Sequence, residues 1–147
     1  MHLMKTETYE VVIGVIPGYK PGEEIKRDDI KFDLDSISQI CQEIFSENPK
    51  VVISGVIEEC KVVYPVRWGA PKGGEYCFKV SFVRNPIIGI DKYDFRKAVL
   101  YNIKKLKKYF KQKTVSLTMY DNGEIFFKVF SKTKDFEEFI RETCKNG

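Results

Sequence analysis

Histidine is almost missing from this chain: of 147 residues, only His2 is one. A single imidazole beside the N-terminus leaves no anchored general base, which excludes Ser-His-Asp and Cys-His catalysis. The four cysteines, Cys41, Cys60, Cys77 and Cys144, never stand at C-x-x-C spacing. A zinc site needs thiolates or imidazoles that converge on one point. The reading is therefore reduced core or surface thiols, with no metal and no cofactor. No apolar run approaches the roughly 20 residues that cross a bilayer, and Met1 to Glu10 lacks the apolar core of a signal peptide. These absences point to a cytoplasmic chain with no membrane partner. Residues 1–5 read as a disordered start. A phosphate loop is missing as well, because Gly69-Ala-Pro-Lys-Gly-Gly does not follow the G-x-x-x-x-G-K-[ST] order.

Apolar residues are plentiful. They make up 43% of the chain, with eleven Phe and eight Tyr, and they recur in blocks along its whole length. That is enough for a packed core without staples, and the length fits one domain over residues 6–147.

Residues 9–16 read as a strand ended by Pro17-Gly18. Asp33 or Asp35 caps a helix carrying Leu34, Ile37, Ile40, Cys41, Ile44 and Phe45 at helical spacing, and Asn48-Pro49 stops it. Residues 50–64 read as one long bent strand or two short ones, with a bulge at Gly55 and a turn at Glu58-Glu59. Residues 65–74 are a loop. Tyr76, Phe78, Val80 and Phe82 then alternate at the strand period. Asp91 caps a long helix to about Gln112, whose stripe of Phe95, Val99, Ile103, Leu106 and Phe110 falls within about 80°. Strands 115–120 and 125–130 flank Asp121-Asn122-Gly123-Glu124, a type I′ hairpin turn. A last helix spans about Thr133 to Lys145, with acids near its start and bases near its end. Both hairpin faces are apolar. The last helix or a homodimer partner would cover the second one.

The fold class is α+β, an antiparallel sheet with two helices on one face and a C-terminal helix. Thr8-Tyr9-Glu10-Val11 aligns with Glu75-Tyr76-Cys77-Phe78, and Lys50-Val51-Val52-Ile53 with Thr114-Val115-Ser116-Leu117. The pattern suggests tandem βαββ units, 6–65 and 75–131, joined by loop 65–75. In element order it resembles the tandem modules of gyrase-inhibitor-like, effector-binding domains. The resemblance implies a groove between two pseudo-symmetric units that holds a small molecule.

Two segments carry candidate chemistry. Loop 64–75 holds Tyr64, Arg67, the sole tryptophan Trp68, and Lys72 among glycines and prolines. Backbone N–H groups, an aromatic face and cations could meet there, or Trp68 could pack back on the core. Arg84, after the following strand, offers an anion contact at a sheet end. Helix 92–113 has nine basic residues against one acid, so the rest of the chain is net negative. Arg96, Lys97, Lys104, Lys105, Lys107, Lys108 and Lys111, with Tyr101 among them, would suit a nucleic-acid backbone and a stacked base. The acidic first helix could instead be their partner. The adjacent pairs Glu58-Glu59 and Asp28-Asp29 do not read as an acid/base pair, because neighbouring strand residues face opposite ways.

The functional expectation is a non-catalytic domain binding a small molecule or a protein partner near loop 64–75. The alternatives are nucleic-acid binding through the basic helix and an enzyme of unidentified class.

Overall fold

A computed structural model of the chain describes residues 3–144; His2 and Lys145 lie outside them. The central strand β1, Thr8–Gly14, alternates fully buried Tyr9, Val11 and Ile13 with half-buried Thr8, Glu10 and Val12. Helix α1, Leu34–Phe45, starts at Asp33, whose carboxylate accepts from the Ser36 N–H at 2.8 Å. Of the two candidate caps, Asp33 is the one used.

The chain then runs through β2 (Val56–Val62), β3 (Glu75–Val83), α2 (Lys92–Tyr109), β4 (Val115–Asp121), β5 (Glu124–Phe130) and α3 (Thr133–Thr143). All neighbouring strands are antiparallel, in the order β2-β3-β1-β4-β5. The first six elements follow the split βαβ ferredoxin-like order, with β5 added at the edge. The βαβ/βαβ halves meet where β1 pairs β3. The first half supplies one strand after its helix, so only the second half is βαββ.

Residues 51–55 are not a strand, and Glu58-Glu59 lies inside β2 rather than in a turn. β2 is an exposed edge, so it needs no apolar alternation, and its charges sit on opposite faces as strand geometry requires. Glu58 pairs across the sheet with Lys79 at 3.8 Å, and Glu59 pairs with Arg27 at 2.8 Å.

All three helices cover one face. Phe95 of α2 meets Tyr9 at 5.8 Å between ring centres, Phe110 meets Phe78 at 4.9 Å, and Phe45 of α1 meets Phe82 at 5.5 Å. α3 stacks Phe136 on Phe130 at 4.3 Å. Each fully buried ring contributes roughly 1.5–3 kcal/mol. α3 thus covers the inner face of the hairpin. Ile125, Phe127 and Val129 stay exposed on the other face, so the last helix is not the cover for them. The turn is as expected: Asn122 and Gly123 both have positive φ, 52° and 79°.

Candidate active site

The loop between β2 and β3 folds back on itself because of two glycines. Gly73 and Gly74 have φ of 80° and 97°. A Cβ on Gly74 would sit 2.7 Å from the Val62 carbonyl oxygen and 3.0 Å from Val63 Cγ2. Only glycine allows this approach, and it brings Glu75, the first residue of β3, level with Tyr64 just past β2. The Tyr64 hydroxyl donates to Glu75 Oε2 at 3.0 Å.

These two residues form one wall of a cleft of about 270 Å3. Tyr19, delivered by the Pro17-Gly18 turn, forms another, and Gly69 closes the loop side. Lys111, Gln112 and Lys113, just beyond α2, complete it. Gln112 is tied to the Ile16 carbonyl at 3.1 Å, which fixes the floor.

The Tyr19 hydroxyl is buried with no hydrogen-bond partner among the described residues. Burial, then the negative charge of Glu75, pushes its ionisation well above the ordinary tyrosine value. Tyr64 moves the same way, through burial and then its bond to Glu75. Both hydroxyls therefore remain protonated at neutral pH and act as donors, not bases. Nearby Cys77 is pushed up to about 12, chiefly by burial, so its thiol is not a nucleophile.

Of the predicted loop residues, Tyr64 lines the cleft; Arg67 and Trp68 immediately precede Gly69, which lines it, but are not themselves in the lining. Trp68 is 72% exposed and does not pack back on the core. The Arg67 guanidinium lies over its ring at 5.6 Å. Lys72 is exposed and lines none of the clefts described here. Arg84 is far away, at the opposite end of the nine-residue β3. It is consumed by Glu7, with Nε to Oε1 at 2.6 Å and Nη2 to Oε2 at 3.1 Å. Sequence reasoning missed Tyr19 and Glu75, whose proximity depends on the Gly74 fold-back.

The basic helix divides in two. Arg96 is only 1% exposed and cannot meet a nucleic acid. It donates to the Tyr9 hydroxyl at 3.2 Å, to Asp121 at 2.8 Å and to the Thr143 carbonyl. Lys105 and Tyr101 reach Glu47, just past α1, at 3.9 and 3.4 Å, so part of the charge is internal complementarity. Lys97, Lys104, Lys108 and Lys111 are exposed, and Lys107 half-buried.

A family model described as SAM lyase matches residues 4–128. The chain belongs to the SAM lyase family. Among solved structures it is similar to a phage SAM lyase in complex with S-methyl-5'-thioadenosine. That chain is 16% identical with a TM-score of 0.59, and the match covers 89% of this chain and 97% of that one. It is also similar to a phage SAM lyase in the apo state, at 14% identity and a TM-score of 0.54, covering 90% and 98%. At these identities the likeness shows the fold alone. No curated protein matches.

Membership of the SAM lyase family overturns the expectation of a non-catalytic ligand- or partner-binding domain. The likeness to gyrase-inhibitor-like modules stops at element order. Composition could not reveal this, because the chain carries none of the short catalytic motifs that sequence reading looks for.

Proposed function

We propose that this chain cleaves S-adenosylmethionine at its sulfonium, releasing S-methyl-5'-thioadenosine, in the cleft of Tyr19, Tyr64 and Glu75. The observation that carries the reading is the 3.0 Å contact between Tyr64 and Glu75, beside an unpartnered buried hydroxyl, in a chain of this family. The substrate brings an aromatic base, a sulfonium, an ammonium and a carboxylate. Trp68 offers an exposed face for the base and Glu75 an anion for the ammonium.

A lyase adds no water, so the four-carbon fragment must leave either by ring closure or as an alkene. Alkene formation needs a base to take a carbon-bound proton; the tyrosines are held protonated, and Glu75, the one carboxylate in this lining, already accepts from Tyr64 and is the group available to the ammonium. Ring closure needs none. The substrate carboxylate attacks the carbon bonded to sulfur, the carbon–sulfur bond pair passes to sulfur, and a thioether and a lactone result. This step annihilates charge. A carboxylate placed against the sulfonium would stabilise the reactant more than the transition state. Glu75 is therefore assigned to the ammonium, where it orients the amino-acid arm for attack, and Tyr64 holds Glu75 in place.

The test is incubation with S-adenosylmethionine in heavy-oxygen water, with products resolved by mass. The expected result is S-methyl-5'-thioadenosine and an unlabelled lactone, any label entering only the carboxyl group on later ring opening. Label in the side-chain hydroxyl would mean hydrolysis, and intact substrate beside folded protein would sink the activity.

The small-molecule partner expected from sequence thus becomes this substrate. A second copy of the chain would cover the bare sheet face, where Ile125, Phe127 and Val129 stand exposed together.

A further inference from the structure

A second cleft, of about 490 Å3, lies between the C-terminal half of α2 and the start of α3. It falls within the ordinary range for small-ligand pockets. Lys104, Lys105, Lys107 and Lys108 line it from α2, and Lys132 lines it from the approach to α3. Two aromatic rings, Tyr101 and Phe136, share the lining. Phe136 is buried by its stack on Phe130, whereas Tyr101 is 43% exposed and offers an open ring with the Lys105 ammonium 5.4 Å from its centre.

Charge decides what this cleft can hold. Among the described residues, Lys104, Lys107, Lys108 and Lys132 make no ion pair, whereas the acids near them are occupied. Glu47 serves Lys105 and Tyr101, and the Asp135 carboxylate accepts from the Ser131 and Lys132 N–H groups. Like charges crowded into a concavity repel one another, and the concavity focuses their field. A cationic sulfonium substrate is repelled here, so this is not a second copy of the Glu75 cleft. The absence of arginine from the lining argues against a planar carboxylate fork and for several phosphate oxygens read as point charges.

We propose that this cleft binds a nucleoside polyphosphate, with the base on Tyr101 and the phosphates among Lys104, Lys107, Lys108 and Lys132. A concavity into which lysines arrive from two elements fits a compact ligand better than an extended nucleic-acid strand. It is a site separate from the one proposed for cleavage, and it stands or falls independently of that reading.

The experiment is calorimetric titration at low salt with three probes: ATP, inorganic tripolyphosphate and a short single-stranded oligonucleotide. They are run on the wild-type chain, on Lys104→Ala/Lys108→Ala and on Tyr101→Ala. All three substituted positions are exposed, so the folds should survive, and a thermal melt checks this. We expect saturable one-to-one binding of ATP, weakened about fivefold per lysine removed. Tyr101→Ala should weaken ATP about fivefold or more and leave tripolyphosphate unchanged. Excess S-adenosylmethionine should not displace ATP. Equal affinity for ATP and tripolyphosphate would reduce the cleft to a plain anion patch and overturn the proposal. So would tighter binding of the oligonucleotide, no binding at all, indifference to the double lysine variant, or displacement by S-adenosylmethionine, which would seat the nucleotide in the Glu75 cleft.

Discussion

Glu75 lies at the start of β3 with one carboxylate oxygen already engaged by Tyr64, so its two neighbours and its charge can be varied separately. Glu75→Gln keeps the size and the bond from Tyr64 but removes the charge that would receive an ammonium. The turnover of S-adenosylmethionine should fall about 100-fold, the scale of losing one charged positioning contact, while the melting curve barely moves. Tyr64→Phe leaves the carboxylate and removes only its tether, and the cost should be nearer fivefold. Trp68 is the only tryptophan, so protein fluorescence reports on it alone. Titration with S-methyl-5'-thioadenosine should quench that emission, and an unchanged spectrum on a binding protein would remove Trp68 from the site. Little of this was legible beforehand. Tyr64, Arg67 and Trp68 could be singled out because they share one loop. Tyr19 and Glu75 could not, because no spacing rule links a turn after β1 to the first residue of β3; the link is made by a positive φ and a missing Cβ at Gly74.

At the scale of elements, α3 is clamped at both ends, by Phe136 on Phe130 at one and by the Arg96–Thr143 contact at the other. Arg96 is the joint between α2, β1, β4 and α3, through Tyr9, Asp121 and Thr143. Arg96→Ala would leave Asp121 half-buried with only Lys92, at 2.7 Å, to answer it. Breaking a buried pair in this way costs about 3–5 kcal/mol, which for a chain of this size lowers the melting temperature by about 10 °C.

The same joint sets the acid limb of stability. Burial works against the Asp121 carboxylate, but the hydrogen bonds and charges of Lys92 and Arg96 outweigh it and hold its carboxyl below the usual range. Its folded value is depressed, so its contribution is present above an ordinary aspartate pKa and is lost as the pH falls through the lower folded value. Asp121→Asn should therefore flatten the acid side of a stability profile measured by urea titration. At the alkaline end, burial of Tyr9 raises its ionisation, so the unfolded chain ionises first and stability falls as the pH rises past about 10. Helix α2 was legible as a stripe because five apolar residues recur at one angle. The burial of Arg96 was not, since a cation that ties four elements together looks like any other surface lysine or arginine until the sheet is assembled. β2 was misplaced for the opposite reason: an edge strand exposed on both faces carries no apolar alternation to read, and the apolar run just before it drew the assignment.

Across the whole molecule, three helices crowd one side of a five-stranded sheet and leave the other side bare. Ile125, Phe127 and Val129 are 68%, 67% and 47% exposed on that side. If a second copy covers them, sedimentation should show an oligomer that Phe127→Lys converts to monomer without loss of fold. A wild-type chain that sediments as a monomer at every concentration would dismiss self-association through this face. The α+β class and the antiparallel sheet followed from element order, because strands and helices of these lengths have few ways to pack. Strand order did not follow, since the placement of β1 at the centre rests on pairings that span most of the chain.

That central placement bears on how the molecule is made. β1 is made before the other four strands of this sheet, yet both of its partners, β3 and β4, come about 70 to 110 residues later. Until then its two edges offer unpaired N–H and C=O groups and a row of Tyr, Val and Ile to whatever is near. Long sequence separation between partners also slows folding. The nascent chain thus carries its most adhesive segment unprotected until β3 and β4 have been made, a period in which chaperone capture or aggregation competes with folding. Yield on overexpression should consequently respond more to the rate of translation and to chaperone supply than to the stability of the finished sheet.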